Sequence, residues 1–157
     1  MSLSDDAVSE PRTVYMRSHL LIVQLAISHL EKTKGAIVNV SSIVAMPFAQ
    51  PDFYYSISKA ALDQLAGSLI TKGIRVNSVN PGVVDTDLIR KLGMPDDVAH
   101  ALYHEKFGKD PNAIPLGRCG LPDDIGKVIV FLADKSQSEY IVGQRITADG
   151  GSTIKNN

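Results

Sequence analysis

The chain has a single cysteine, Cys119, in 157 residues, so it closes no internal disulfide. That excludes a small cross-linked scaffold and fits the reducing cytoplasm better than secretion. Charge of one sign is scarce as well: the net charge is −1, and no basic block stands out. Nucleic acid and anionic membrane are therefore not expected as the main partners. Long hydrophobic runs are missing. The longest near-apolar stretch, "LLIVQLAI", falls far short of the roughly 20 residues that cross a bilayer. The opening "MSLSDDAVSEPR" is polar and acidic, unlike a secretory signal or an Arg-rich transit peptide. Internal repeats and low-complexity tracts are absent. What is present is an ordinary globular composition, 44% hydrophobic and 21% charged, at a length that suits one domain. Residues 1–12 are expected to be a polar lead-in and 13–157 the folded unit.

The hydrophobic spacing orders the elements. From about Thr13 to Lys32 the pattern is helical, with Leu20, Val23, Ile27 and Leu30 on one stripe, broadened by Leu21, Ile22 and Leu25. "KTKG" closes that helix, with Gly35 expected as its cap. "AIVNVSS" is short, β-branched and uncharged, as expected of a parallel strand buried on both faces. A Pro-containing loop, "MPFAQPDF", leads to a helix from about Tyr54 to Ile70, ended by Gly73. "IRVNSVNPG" reads as a second strand. A long irregular stretch follows, then the helix "PDDIGKVIVFLADKS", whose Pro122 and two aspartates suit a helix start. "YIVGQRITADGG" supplies a third strand and a glycine turn. Helix and strand alternate, which predicts an α/β fold with a parallel, doubly wound sheet of about three strands.

Chemistry concentrates in "SSIVAMPFAQPDFYYSISKAALDQL", Ser41–Leu65. Tyr55 and Lys59 are four residues apart, so one helix face carries both. An ammonium beside a phenol favours the phenolate, which lets a tyrosine exchange a proton with an alcohol or ketone near neutral pH. Ser42 falls at the carboxyl end of the first strand, where open α/β sheets place ligands, and its hydroxyl suits a substrate carbonyl. Alone, the Tyr-x-x-x-Lys spacing is a weak signal. His100 and His104 have a spacing that suits a metal, but no third ligand is evident nearby, so they read as a solvated helix face. Cys119, beside Arg118, reads as an inert surface or half-buried thiol.

The order of motifs is more specific than any one of them. "IVNVSS", "YYSISKAALDQ", "GIRVNSVNPG", "PLGRCGLPDDI" and "ADGG" together closely resemble the carboxyl-terminal half of a short-chain dehydrogenase/reductase, from Thr13 to Thr153. The resemblance implies an incomplete Rossmann-like fold and NAD(P)-dependent hydride transfer between a secondary alcohol and a ketone. It implies Tyr55 as the general acid/base, Lys59 as its activator and a ligand of the nicotinamide ribose, and Ser42 as the group that orients the substrate carbonyl. It also implies that Pro81, Gly82, Val84 and Thr86 form the loop over the nicotinamide, with Val84 offering backbone groups to the carboxamide. The implied cofactor is NAD or NADP and the implied partner a small alcohol or ketone. A homo-oligomer or association with related subunits is expected.

Three departures accompany the resemblance. The family opens with a strand, a Gly-rich turn and a helix that hold the cofactor pyrophosphate, and nothing here has that form. Tyr15-Met16-Arg17-Ser18 stands where the family carries Asn-Leu-Arg-Ser, so Tyr15 replaces a fourth catalytic residue. The helix after Lys59 is about one turn short. Two expectations follow. This chain by itself should hold the cofactor weakly, and the alternative to an enzyme is a non-catalytic family member that acts through association with related subunits.

Overall fold

The computed structural model describes residues 12–46, 53–91 and 93–154, without the side chains of 12–15 and 53. The expected lead-in, apart from Arg12, and most of the expected loop at 46–53 lie outside the described residues. Helix α1, Arg12–Thr33, is followed by strand β1, Ala36–Val40, and helix α2, Phe53–Gln64. Strand β2, Arg75–Pro81, comes next. The irregular stretch holds two short helices, α3 at Leu88–Lys91 and α4 at Asp96–Ala101. Helix α4 runs on into one wide π-helical turn, Leu102–Phe107. Helix α5, Pro122–Ala133, a short α6, Lys135–Ser138, and strand β3, Arg145–Ala148, complete the order.

The three strands form one parallel sheet in the order β1-β2-β3, with Ala36 opposite Arg75, Val40 opposite Val79 and Ser78 opposite Arg145. Strand β2 is central, and Arg75 to Asn80 are all buried. Its side chains alternate between faces. On one face Arg75 reaches the end of α5, and on the other Asn80 reaches Asp63 of α2. Helices therefore cover both faces of the sheet, as doubly wound architecture requires.

Three local expectations need correction. β1 is not buried on both faces: Asn39 is buried but Val40 is 42% exposed. Among the described residues β1 pairs with β2 alone, which leaves its other edge open. Helix α2 stops at Gln64 rather than Ile70. Gly67, at φ 79°, turns the chain so that its N–H reaches the Val76 carbonyl at 3.2 Å. At the end of α1 it is Lys34, at φ 52°, that takes the left-handed cap position assigned to Gly35. A Cβ on Gly35 would lie 2.7 Å from Leu30 Cδ2, the movable end of a side chain, which would have to shift. The broad stripe on α1 is only partly used: Val23 is buried, while Leu21, Ile22 and Leu25 are exposed.

The loop before α5 is pinned by electrostatics. Asp124 accepts from Arg118 Nη1 at 2.7 Å and from the Leu121 N–H at 2.8 Å. The Arg118 guanidinium, with that backbone donor, holds the Asp124 carboxyl down to about 2. No helix among the described residues is long and apolar enough to cross a membrane.

Candidate functional site

The carboxyl ends of β1 and β2 splay above α2, α3 and α5 to leave a cleft of about 540 Å³. That volume lies within the usual range for small-molecule sites. Every sequence-derived site residue lines it: Ser42, Tyr55, Lys59, Pro81, Gly82, Val84 and Thr86. They come from three separate stretches of chain, brought together by the parallel pairing of β1 with β2.

Tyr55 and Lys59 lie on one face of α2, with Lys59 Nζ 5.5 Å from the Tyr55 ring centroid. The ammonium donates to the Val40 carbonyl at 3.0 Å, which ties the helix to the last residue of β1. Burial pushes the Lys59 pKa below its ordinary value, and the negative charge of Asp63 opposes that shift. Of the serine pair, Ser41 is structural: it is buried, and its hydroxyl donates to the Lys59 carbonyl at 3.1 Å. Ser42 caps the 3₁₀ turn Ile43–Ala45 by accepting the Val44 N–H at 3.3 Å. That contact leaves its hydroxyl proton for donation into the cleft.

The loop after β2 is shaped by close approach. A Cβ on Gly82 would fall 2.7 Å from Asp149 Cβ and 2.9 Å from Asp149 Cα, so a side chain there would push β2 from β3. Val84 forms an isolated parallel bridge to Gly120. The bridge is closed by the Val83 carbonyl and the Asp85 N–H, and uses neither backbone group of Val84 itself. Thr86 lies farther along the rim, where its carbonyl accepts from the Tyr103 hydroxyl at 3.3 Å.

Ile89, Tyr103, Phe107, Ile125 and Ile129 make the far wall. No motif in the sequence marks any of them. Tyr103 and Phe107 carry a legible signal, a four-residue spacing on a helical turn, but whether such a pair meets core or cleft depends on distant elements. Lys59 is the one charged side chain among the residues that line the cleft.

The other candidates stay outside it. His104 Nε2 lies 3.0 Å from Asp85 Oδ2, and no group of metal-ligating side chains occurs among the described residues. Cys119 is buried, and its thiol donates to the Tyr103 carbonyl at 2.9 Å. Burial, with a smaller contribution from Asp85, pushes that thiol up, which keeps it protonated.

A family model described as enoyl-(acyl carrier protein) reductase matches residues 1–153. The chain is 35% identical over 126 residues to a 3-oxoacyl-[acyl-carrier-protein] reductase of Chlamydia muridarum, covering 78% of this chain and 46% of that protein. It is 33% identical over 154 residues to carbonyl reductase family member 4 of Danio rerio, covering 96% and 58%. A crystal structure of a short-chain dehydrogenase/reductase from Caenorhabditis elegans with cofactor superposes at a TM-score of 0.90 and 44% identity, over 96% of this chain and 57% of that one. The chain thus spans about half the length of the relatives it matches.

Proposed function

Because the chain belongs to the short-chain dehydrogenase/reductase family, we propose that its cleft serves NAD(P)-dependent interconversion of a secondary alcohol and a ketone. One observation carries this reading: Ser42, Tyr55 and Lys59 line one largely apolar cleft. Tyr55 donates a proton to the substrate oxygen in reduction and removes it in oxidation. Lys59, held by the Val40 carbonyl, keeps a positive charge beside the phenol. Ser42 donates to the same substrate oxygen and fixes its position.

The residues present suit the nicotinamide end of the cofactor. Gly82 brings bare backbone to the rim, and Val84 keeps both of its backbone groups clear of the Gly120 bridge. When bound, the nicotinamide supplies or accepts the hydride. The pyrophosphate end has no matching seat: among the described residues no glycine-rich turn joins a strand to a helix N-terminus. The substrate is an uncharged ketone or alcohol with an apolar body, because Lys59 is the one charged side chain that lines the cleft and its ammonium is held by the Val40 carbonyl.

The test is an assay of the 157-residue chain with millimolar NAD(H) and NADP(H), apolar ketones and the matching alcohols. Turnover is expected with apolar carbonyls and not with anionic ones. Calorimetric titration of either cofactor should give an affinity weaker than micromolar. Turnover confined to anionic substrates, or micromolar binding, would overturn the respective part of the reading.

A second reading, association with a related subunit or a second copy, has its own support. The far side of β1 is unpaired among the described residues, and α1 exposes Leu21, Ile22 and Leu25. Open strand edges and apolar patches of this kind recruit partners. Sedimentation at tens of micromolar is expected to show self-association. A compact monomer with a cooperative melt would count against it.

A further inference from the structure

We propose that Asp63 is a positioning residue of this site, fixing the main chain of Ser42 through Asn80 and keeping a carboxylate on the helix face that carries Tyr55 and Lys59. The proposal rests on the acid–base roles assigned above. Tyr55, Lys59 and Asp63 follow each other at four-residue intervals on α2, so all three share one face. Asp63 is only 6% exposed. Its Oδ2 accepts from Asn80 Nδ2 at 2.8 Å, and the same amide donates to the Ser42 carbonyl at 3.0 Å. Asn80 is fully buried at the end of β2. A carboxylate on α2, an amide on β2 and the backbone of Ser42 beyond β1 thus form one chain of contacts beneath the cleft.

A purely structural role does not explain the charge. Burying a carboxylate is unfavourable unless a cation or several donors compensate. Asp63 has one donor in Asn80, and its other oxygen, Oδ1, is buried with no hydrogen-bond partner. An amide or a hydroxyl could accept from Asn80 just as well. What a neutral group could not do is oppose the desolvation of Lys59, which is the electrostatic effect Asp63 has on that lysine. Few other charges face Lys59. Its own helix brings Asp63, β1 brings only the Val40 carbonyl, and α1 brings His19, which lines the crevice on the other side of Lys59 with Met16 and Ser58.

The signs follow. Burial alone drives Lys59 toward the neutral amine, and a neutral amine no longer favours phenolate at Tyr55. With Asp63 in place the ammonium persists to higher pH. Removing that negative charge should let Lys59 lose its proton at lower pH. The rise of alcohol oxidation with pH should then move in the alkaline direction.

The experiment is an NMR titration of Lys59 Nζ in the 157-residue chain, assigned with Lys59→Arg, so the readout does not require turnover. In Asp63→Asn the Lys59 midpoint is expected to fall. In the swapped pair Asp63→Asn with Asn80→Asp, which returns a carboxylate to the same contact, it is expected to recover. In Asn80→Ala, which keeps the carboxylate and removes its donor, the midpoint should stay or rise. Oxidation at neutral pH should drop roughly tenfold or more in Asp63→Asn. An unchanged Lys59 midpoint in Asp63→Asn overturns the electrostatic role. Should that variant not fold, a Lys59 midpoint lowered in Asn80→Ala does the same, and one held or raised supports it. Failure of the acid–base reading is separate: it shows as turnover that survives loss of the Tyr55 hydroxyl while the Lys59 titration behaves as expected.

Discussion

Tyr55→Phe is expected to lower kcat/KM for carbonyl reduction by about 10²–10⁴-fold, the usual worth of a positioned proton donor. The substitution removes the hydroxyl and leaves the ring, and Tyr55 is 36% exposed on the side of the cleft. The fold should therefore be indifferent, with a stability change within about 0.5 kcal/mol as for other surface substitutions. Lys59→Ala should cost activity comparably, but by a different route: it removes the cation beside the phenol and also the tether to the Val40 carbonyl. Its stability will be read through pH, because the folded pKa of Lys59 lies below the unfolded one. The charged amine is the form that burial disfavours. Wild-type stability should thus gain as pH rises from the folded toward the unfolded Lys59 value, and Lys59→Ala should lose that dependence. Steady-state assays, with melts of both variants at several pH values, check both statements. Near-normal turnover in Tyr55→Phe would show that the proton comes from elsewhere.

The largest stability effect is expected at Arg75, far from the cleft. Its guanidinium lies at the opposite end of β2 and is almost wholly buried. Nη1 donates to the carbonyls of Leu132 and Ser138 at 3.1 and 3.0 Å and to the Ser138 hydroxyl at 3.2 Å, and Nη2 donates to the Ala133 carbonyl at 3.2 Å. Two of those acceptors belong to the last turn of α5, where carbonyls have no partner within the helix. Burying the guanidinium is unfavourable, and an apolar replacement would relieve that desolvation. The opposing loss is larger, because charge-assisted hydrogen bonds contribute about 1.5–3 kcal/mol each, and the Ala133 carbonyl loses its donor while those of Leu132 and Ser138 keep the Ser138 hydroxyl and the Ile141 N–H. Arg75→Leu should therefore destabilise by about 3 kcal/mol, a large share of the roughly 5–15 kcal/mol that holds a domain together. The melting temperature would fall by roughly 10 °C. Denaturant unfolding of both proteins measures it. A change below about 0.5 kcal/mol would mean that water replaces the guanidinium at the helix end.

Whatever depends on neighbours along the chain was legible in the order of residues. The alternation of helix and strand was legible in hydrophobic spacing, and the sharing of one face by Tyr55 and Lys59 follows from helix geometry alone. The position of Ser42 beyond β1 was legible for the same local reason, whereas the shortened helix after Lys59 was legible only through the family resemblance, since the residue pattern itself ran on to Ile70. Tertiary structure decided everything set by pairs far apart. The partners of Arg75 lie 57 to 63 residues away, and Asn80 meets Asp63 across 17 residues, so neither contact leaves a trace in local periodicity. The same distance dependence explains the misreadings. Burial of β1 depends on what packs against it rather than on its own valines, and Val40, at 42% exposed, lines the open cleft. The serine pair shows the limit most clearly. Ser41 and Ser42 have identical chemistry, and only the packing of α2 across the strand end assigns one to the Lys59 carbonyl and leaves the other on the lining of the cleft, because successive side chains beyond a strand point to opposite sides.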